Sequence, residues 1–381
     1  MSDLPLSTEK SFDGQVVAAW YQRCRTGHHT CQQRDLDANG CFWVPTRLLH
    51  LNIRKGIVRL IETYVHCFSA DRSYTAFSYR WPTSGKQPTT LTKSTITQFK
   101  AGIPTSSLQG SIIDAITVTT FLGFSYLWVD ALCICQDDKS DWLYESLQMF
   151  KVYSNSALTI STSGMLSAES DLLQNRCPKY FHQASFIPSA SPNPGSRVIV
   201  TIHDVWHHIV SEGLLSTRGW IFQERMASNR ILHLGAGSMA WECNGVSWIE
   251  SNLPEHIPAS FGETWAAIVQ DYTRRKFTNH SDILIAINGF AEQIASATQN
   301  HSWFLSGMWN HTLAFELPWE RTKEDRTLYQ QGSAFIDAPS WSWASVQGQV
   351  TYPIHHAIKV MDENGQVNTV NVPRLRGYRP L

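Results

Sequence analysis

Between residues 57 and 165 the apolar positions alternate between two spacings. Residues 57–61 and the run Tyr74–Tyr79 are short, rich in β-formers, and predict strands; the second ends at a Pro- and Gly-containing loop over 82–90. From Gly110 to Gly123 the positions Ile112, Ile113, Ile116, Val118, Thr119 and Leu122 fall mainly at helical spacing, with Gly123 as a C-terminal stop. Tyr126–Asp130 is a short apolar run that predicts a buried strand. Ser140–Tyr153 predicts a helix with Leu143, Leu147, Met149 and Phe150 on its apolar side. Asp137, Asp138 and Asp141 crowd its N-terminus, where the helix dipole favours anions. Ala157–Ser161 closes the series as another buried strand. Strand, helix, strand, helix, strand in that order predicts an α/β fold with a parallel-sheet core over 57–165.

The flanks read differently. Residues 1–56 form an N-terminal extension with a short helix from about Gly14 to Cys24, and 166–381 form a C-terminal region packed on the core. In that region Pro178–Ser196 is a Pro- and Ser-rich loop. Arg230–Leu234 and Ser238–Cys243, joined by Gly235-Ala236-Gly237, predict a hairpin. Residues 260–276 and 282–298 predict helices. The tail around Trp341-Ser342-Trp343-Ala344 is expected to be β-rich, with the last dozen residues frayed. No internal repeat is visible.

Composition narrows the function classes. Of 381 residues, 43% are hydrophobic and 17% charged, which favours a packed core over extensive disorder. A net charge of -1 gives no electrostatic drive toward nucleic acid or anionic lipid. The start lacks the pattern of a signal peptide and no apolar run approaches a membrane span, so the expectation is a cytoplasmic protein with reduced thiols at its 8 cysteines. The 15 tryptophans predict an aromatic core whose indole N–H groups need partners.

Several long, ordered blocks carry a family resemblance. They are Tyr74-Thr75-Ala76-Phe77-Ser78-Tyr79-Arg80-Trp81-Pro82, then Asp114-Ala115-Ile116, Leu122-Gly123 and Tyr126 through Asp138. Asp141-Trp142 follows with Glu145, Met149, Tyr153, Asn155 and Ala157, then Arg218-Gly219-Trp220-Ile221-Phe222-Gln223-Glu224-Arg225, Trp241-Glu242-Cys243 and Pro339–Ala344. In these the chain resembles the fungal heterokaryon-incompatibility (HET) domain. Pro82 stands where the family has glycine, Cys135 where an aliphatic residue or aspartate is usual, and Ser107–Gly110 where the family has Leu-Pro-x-Thr. The resemblance implies non-self recognition and programmed cell death. By analogy with TIR domains, it implies a TIR-like or flavodoxin-like core and NAD as a substrate. It also leaves open an enzyme recruited to small-molecule metabolism and a non-enzymatic, self-associating module whose partner is another protein. No nucleic-acid or membrane partner is expected.

The residues themselves suggest where chemistry would sit. In open α/β sheets ligands bind at the carboxyl ends of strands. Asp130, Cys133, Gln136, Asp137 and Asp138 follow one such end, and Tyr79 and Trp81 another, so two parallel strands would bring both sets to one edge. Glu145 and Trp142 lie on the next helix. For NAD cleavage, Glu145 or Asp130 would face the oxocarbenium-like ribose while Trp81 or Trp142 stacks on a ring. The bland alternative has Asp130 capping a turn and Glu145 paired with Arg218 or Arg225. Cys133 is a candidate thiol nucleophile, with His233 or His203 as its base, against inert buried cysteine as the commoner outcome. Arg218, Trp220, Gln223, Glu224 and Arg225 would bind a phosphate or carboxylate if they share a face, or else form an internal ion-pair network. Cys24, His28, Cys31 and Cys41 have the residue types of a zinc site but not a standard spacing, and packed cysteines are the alternative. His207-His208 and His355-His356 read as surface residues.

Overall fold

A computed structural model of the chain describes residues 12–37, 40–52, 56–65, 72–81, 89–163, 172–173, 184–186, 198–200, 206, 209–210, 213–235, 238–250, 265–279, 281–298, 303–309, 316–317, 319–322, 338–352, 358–361 and 367–370. Pro82, His203, His207, His208, His355, His356, most of the 178–196 loop and all but the first of the last dozen residues lie outside them. The chain divides into two compact units, Met1–Ser216 with Gln223–Ala259, and Thr217–Phe222 with Ser260–Leu381.

The first unit is built on a nine-stranded mixed sheet. Its strands are β1 (Arg47–Asn52), β2 (Ile57–Glu62), β3 (Thr75–Ser78), β4 (Ile103–Pro104), β5 (Tyr126–Val129), β6 (Leu158–Ser161), β7 (Arg230–Gly235), β8 (Ser238–Cys243) and β9 (Ser247–Ile249), in the spatial order β9-β8-β7-β6-β3-β5-β1-β2-β4. The middle of the sheet is parallel: β3 pairs with β5 on one side and β6 on the other, and β6 pairs with β7. Both flanks are antiparallel, and one of them includes β2 and β4 from within 57–165, so of the parallel-sheet core expected there only β3, β5 and β6 are parallel to one another. Strand β1 lies in what reads from sequence as an extension; it pairs with both β2 and β5.

The helices follow the periodicity. Helix α1 (Gly14–Gly27) is capped by Asp13, whose side chain accepts from the Gln15 and Val16 amides. Helix α2 is Ile96–Ala101. Helix α3 (Gly110–Phe121) joins β3 to β5, and Gly123, at φ 85°, turns the chain just beyond it. Helix α4 (Lys139–Ser154) is capped by Asp138 through the Ser140 and Asp141 amides. Its buried face differs from the expected one: Glu145, Ser146, Met149, Val152 and Tyr153 point inward, while Leu143 and Leu147 are 47% and 54% exposed. Apolar spacing misplaced this face because Glu145 is held inward by polar partners.

The central strands are buried along their whole length, as a doubly covered parallel strand requires. Phe77, Trp128, Leu158, Ile160 and Leu232 are each at most 1% exposed, and each contributes roughly 1.5–3 kcal/mol by burial. Tyr153 packs edge-on to Trp128, with ring centroids 5.7 Å apart. Asn155 accepts the Asp35 amide at 2.6 Å and donates to the Asp35 carboxylate at 3.0 Å, tying the N-terminal segment to the end of α4.

The second unit is an aromatic cluster on two helices, Trp265–Thr273 and Asp282–Thr298. The indoles of Trp265 and Trp343 both donate to the Gly307 carbonyl at 2.8 Å, so these large apolar rings are buried with their polar group satisfied. Tyr272 lies within 6.0 Å of Phe222, Phe277 and Trp343. The Trp341–Ala344 segment is not a strand: Trp343–Ser345 is a single 3-10 turn, and short strands flank it.

Candidate functional site

Strand order reverses at β3, since the chain runs from β3 to β5 on one side and then to β6 on the other. The carboxyl ends of β3, β5, β6 and β7 therefore share an edge, the place where open α/β sheets bind ligands. Trp81 leaves β3 and Asp130 follows β5. The Trp81 indole donates to Asp130 Oδ2 at 2.9 Å, so the two polar sets expected at one edge do meet. Asp130 Oδ1 also accepts the Ala131 amide at 2.6 Å, at the start of a single helical turn, Asp130–Cys133. That bond is local to the next residue and the turn, whose N-cap is Val129, has no side-chain cap, so Asp130 does not cap it.

Around this pair the loop is pinned from several directions. The Gln136 amide donates to the carbonyls of Asp130 and Ile134 at 3.1 and 3.0 Å. Asp137 accepts the Lys93 amide at 2.8 Å and the Cys135 thiol at 3.2 Å, and these bonds hold its carboxyl below the usual range. Tyr79 is buried and stacks on Phe77 at 4.6 Å between centroids. Trp142 is partly exposed on the first turn of α4.

Glu145 is placed differently. It is 2% exposed, accepts a hydrogen bond from the Thr46 hydroxyl, and lies 3.7 Å from Arg47. Burial pushes its carboxyl up, against the pull of Thr46 and Arg47. Arg47 also donates to both oxygens of Asp141 and to the Cys133 carbonyl. The partner of Glu145 is therefore Arg47 on β1, not Arg218 or Arg225. Cys133 is 1% exposed and burial pushes its thiol up to about 12, so it stays protonated and unreactive at neutral pH. His233, offered as its base, is engaged elsewhere.

The helix Gly219–Ala227 divides the second candidate set. Arg218 precedes it, in a parallel bridge with Lys276, and the Trp220 indole donates to Asp282 at 3.3 Å. Gln223 and Glu224 are buried, and Gln223 Oε1 has no hydrogen-bond partner among the described residues. Arg225 forms a two-pronged pair with Glu242 on β8, Nε to Oε2 at 2.8 Å and a terminal nitrogen to Oε1 at 2.9 Å. The shared Arg218–Arg225 face does not form, and for Arg225 the internal ion-pair alternative holds.

That pair leads to a constellation that sequence reasoning missed. Glu242 Oε2 is 3.0 Å from His233 Nε2, and His233 Nδ1 is 2.8 Å from the Ser163 hydroxyl, which is 2.6 Å from that of Ser161. Burial lowers the His233 pKa, favouring a neutral ring. Burial alone would raise Glu242, but Arg225 and His233 hold its carboxyl at about 2. A neutral His233 donating to Glu242 leaves Nδ1 to accept from Ser163. The detectable signal was Glu242 beside the predicted hairpin; Ser163 lies 70 residues from His233 and gives none.

Residues 74–224 match the family model described as heterokaryon incompatibility protein (HET). The chain carries a HET domain. The match begins at the tyrosine before β3 and ends within the Gly219–Ala227 helix, so the HET segment contributes Trp81, Asp130, Glu145 and Ser163. His233 and Glu242 follow it on β7 and β8. No curated protein and no solved structure matches the chain. Among the described residues, no helix of this HET protein is long and apolar enough to cross a membrane.

Proposed function

We propose that this HET protein is a cell-death effector of heterokaryon incompatibility that hydrolyses NAD at the carboxyl edge of β3 and β5. The observation that carries the reading is the Trp81–Asp130 hydrogen bond at the point where strand order reverses. In the reaction the bond from ribose C1′ to the nicotinamide nitrogen breaks, and nicotinamide leaves with the electron pair. Water forms the new C1′–O bond and gives up a proton. Asp130 supplies the carboxylate that faces the oxocarbenium-like ribose, and the Trp81 ring offers a stacking surface. Asp130, which is partly exposed, is favoured over Glu145, which is 2% exposed and held by Thr46 and Arg47. Cys133 has no part in it.

The test is to express wild type, Asp130→Asn and Glu145→Gln in a fungal host and follow viability and NAD together. Wild type is expected to kill and to deplete NAD; Asp130→Asn does neither, while Glu145→Gln keeps both. Death without NAD loss sinks the NAD reading, and undiminished NAD loss in Asp130→Asn removes that residue from it.

A second reading has its own observation. The Ser163–His233–Glu242 chain has the nucleophile, base and orienting acid of an acyl hydrolase, which favours an enzyme of small-molecule metabolism. Loss of ester hydrolysis in Ser163→Ala, with NAD untouched in wild type, would shift the assignment to it.

A further inference from the structure

On the opposite face of β8 from Glu242, the chain gathers three thiols and an imidazole. Side chains alternate along a strand, so Glu242 and Cys243 point to opposite faces. Cys243 is paired with Arg230 across the β7–β8 ladder. Helix α1 lies on their face, with Trp20 6.5 Å from Trp241. The last turn of α1 carries Cys24; the chain then turns through His28 to Cys31. Hydrogen bonds from the His28 amide to the Cys24 carbonyl (3.0 Å) and from the Cys31 amide to the His28 carbonyl (3.2 Å) set that turn. The three thiols and the imidazole nitrogen all lie within 4.8 Å of one another. Cys24, Cys31 and Cys243 are 0%, 1% and 3% exposed, and none is in a disulfide.

We infer that Cys24, His28, Cys31 and Cys243 form a structural zinc site that clamps helix α1 to the β8 end of the sheet. Three sulfurs and one nitrogen are the donor set of a closed tetrahedral zinc centre. With Zn–S near 2.3 Å, neighbouring sulfurs of such a centre are about 3.8 Å apart, so the group needs to contract by about 1 Å at most. His28 Nδ1 is already 3.4 Å from the Cys243 sulfur.

Two further features suit a metal centre. Arg230 Nε donates to the Cys24 sulfur at 3.2 Å, a hydrogen bond that offsets the net negative charge of three thiolates and one zinc ion. Gly245 closes the turn beside Cys243, and a Cβ there would sit 2.9 Å from His28 Nδ1, so only glycine lets the imidazole approach. Cys41, the fourth ligand suggested by sequence proximity, is not in the group; its amide donates to Asp37. The clamp is independent of the proposed chemistry at the β3–β5 edge.

The full-length protein, purified reduced and without chelator, is expected to hold about one zinc per chain by mass spectrometry of the metal. Cys24→Ser and Cys243→Ser are expected to lose most of it, while Cys41→Ser keeps it. Protein expressed in cobalt-supplemented medium is expected to show thiolate-to-cobalt charge-transfer and tetrahedral ligand-field absorption. That readout on the wild-type fold serves even if the serine variants do not fold. A His28→Cys variant should retain metal with the cobalt bands shifted toward a four-thiolate centre. Metal-free protein with no cobalt bands overturns the site, as does full zinc occupancy in both serine variants.

Discussion

The guanidinium of Arg47, at the start of β1, grips both carboxylate oxygens of Asp141, in the first turn of α4. The pair is mostly buried, with side chains 10% and 21% exposed, and Glu145 leans on the same guanidinium. One arginine therefore compensates two carboxylates at the seam between a strand and a helix. Arg47→Met would leave both without their countercharge, keeping only the Thr46 hydroxyl on Glu145 and the Cys135 amide on Asp141, at modest cost in packing. It is expected to cost about 3–5 kcal/mol, the range for breaking a buried pair from one side. Urea unfolding measures it; a loss below about 1 kcal/mol would show the network to be solvated.

Glu145→Gln separates structure from chemistry at the same seam. Burial already disfavours the charged carboxyl, so a neutral isostere that still accepts from Thr46 is expected to change stability by less than about 1 kcal/mol at pH 7. Thermal melting checks the first half, and the viability assay shows whether activity follows.

Trp81→Phe keeps an aromatic face but removes the donor to Asp130. A loss of about 1 kcal/mol in stability is expected, the size of one hydrogen bond. NAD cleavage should fall through kcat with little change in KM, because stacking is kept while the carboxylate is less well oriented. A change confined to KM would argue that Trp81 only binds.

Acid should destabilise the first unit over two pH ranges. His233 lies below its ordinary 6.5, and Glu242 lies near 2 against an ordinary 4.5. Both bind fewer protons folded than unfolded, so both contribute stability that is lost as pH falls. His233 acts below about 6.5, and Glu242 adds a second loss between 4.5 and about 2. Denaturant midpoints measured from pH 7 to pH 3 should decline throughout, and His233→Gln should flatten the upper limb. A flat wild-type curve between pH 7 and pH 5 would contradict the buried neutral ring.

Gly123 offers a check on a feature legible from sequence. It adopts φ 85° with open space where a Cβ would go, so Gly123→Ala meets backbone strain and no clash. The expected cost is about 1 kcal/mol, with Gly123→Asn less affected. A larger loss on melting would point to a side-chain collision.

The sequence by itself determined the elements of the central β3-to-β6 unit. Period and punctuation are local properties: Gly123 stops α3, Asp138 caps α4, and short β-branched runs flank them. It also placed Trp81 and Asp130 at one edge, because parallel strands put their carboxyl ends together, and it found Cys24, His28 and Cys31 as candidate ligands at short spacing. Only the tertiary structure decided the rest. Residue spacing carries no information about which distant strand a side chain will face, so Arg47 was invisible as the partner of Glu145. The third thiol of the cluster is Cys243, 212 residues beyond Cys31 by their numbering, and not nearby Cys41. The alternation of β8 sends Glu242 to His233 and its neighbour Cys243 to the thiol cluster, but that consequence exists only once the sheet has fixed what lies on each face.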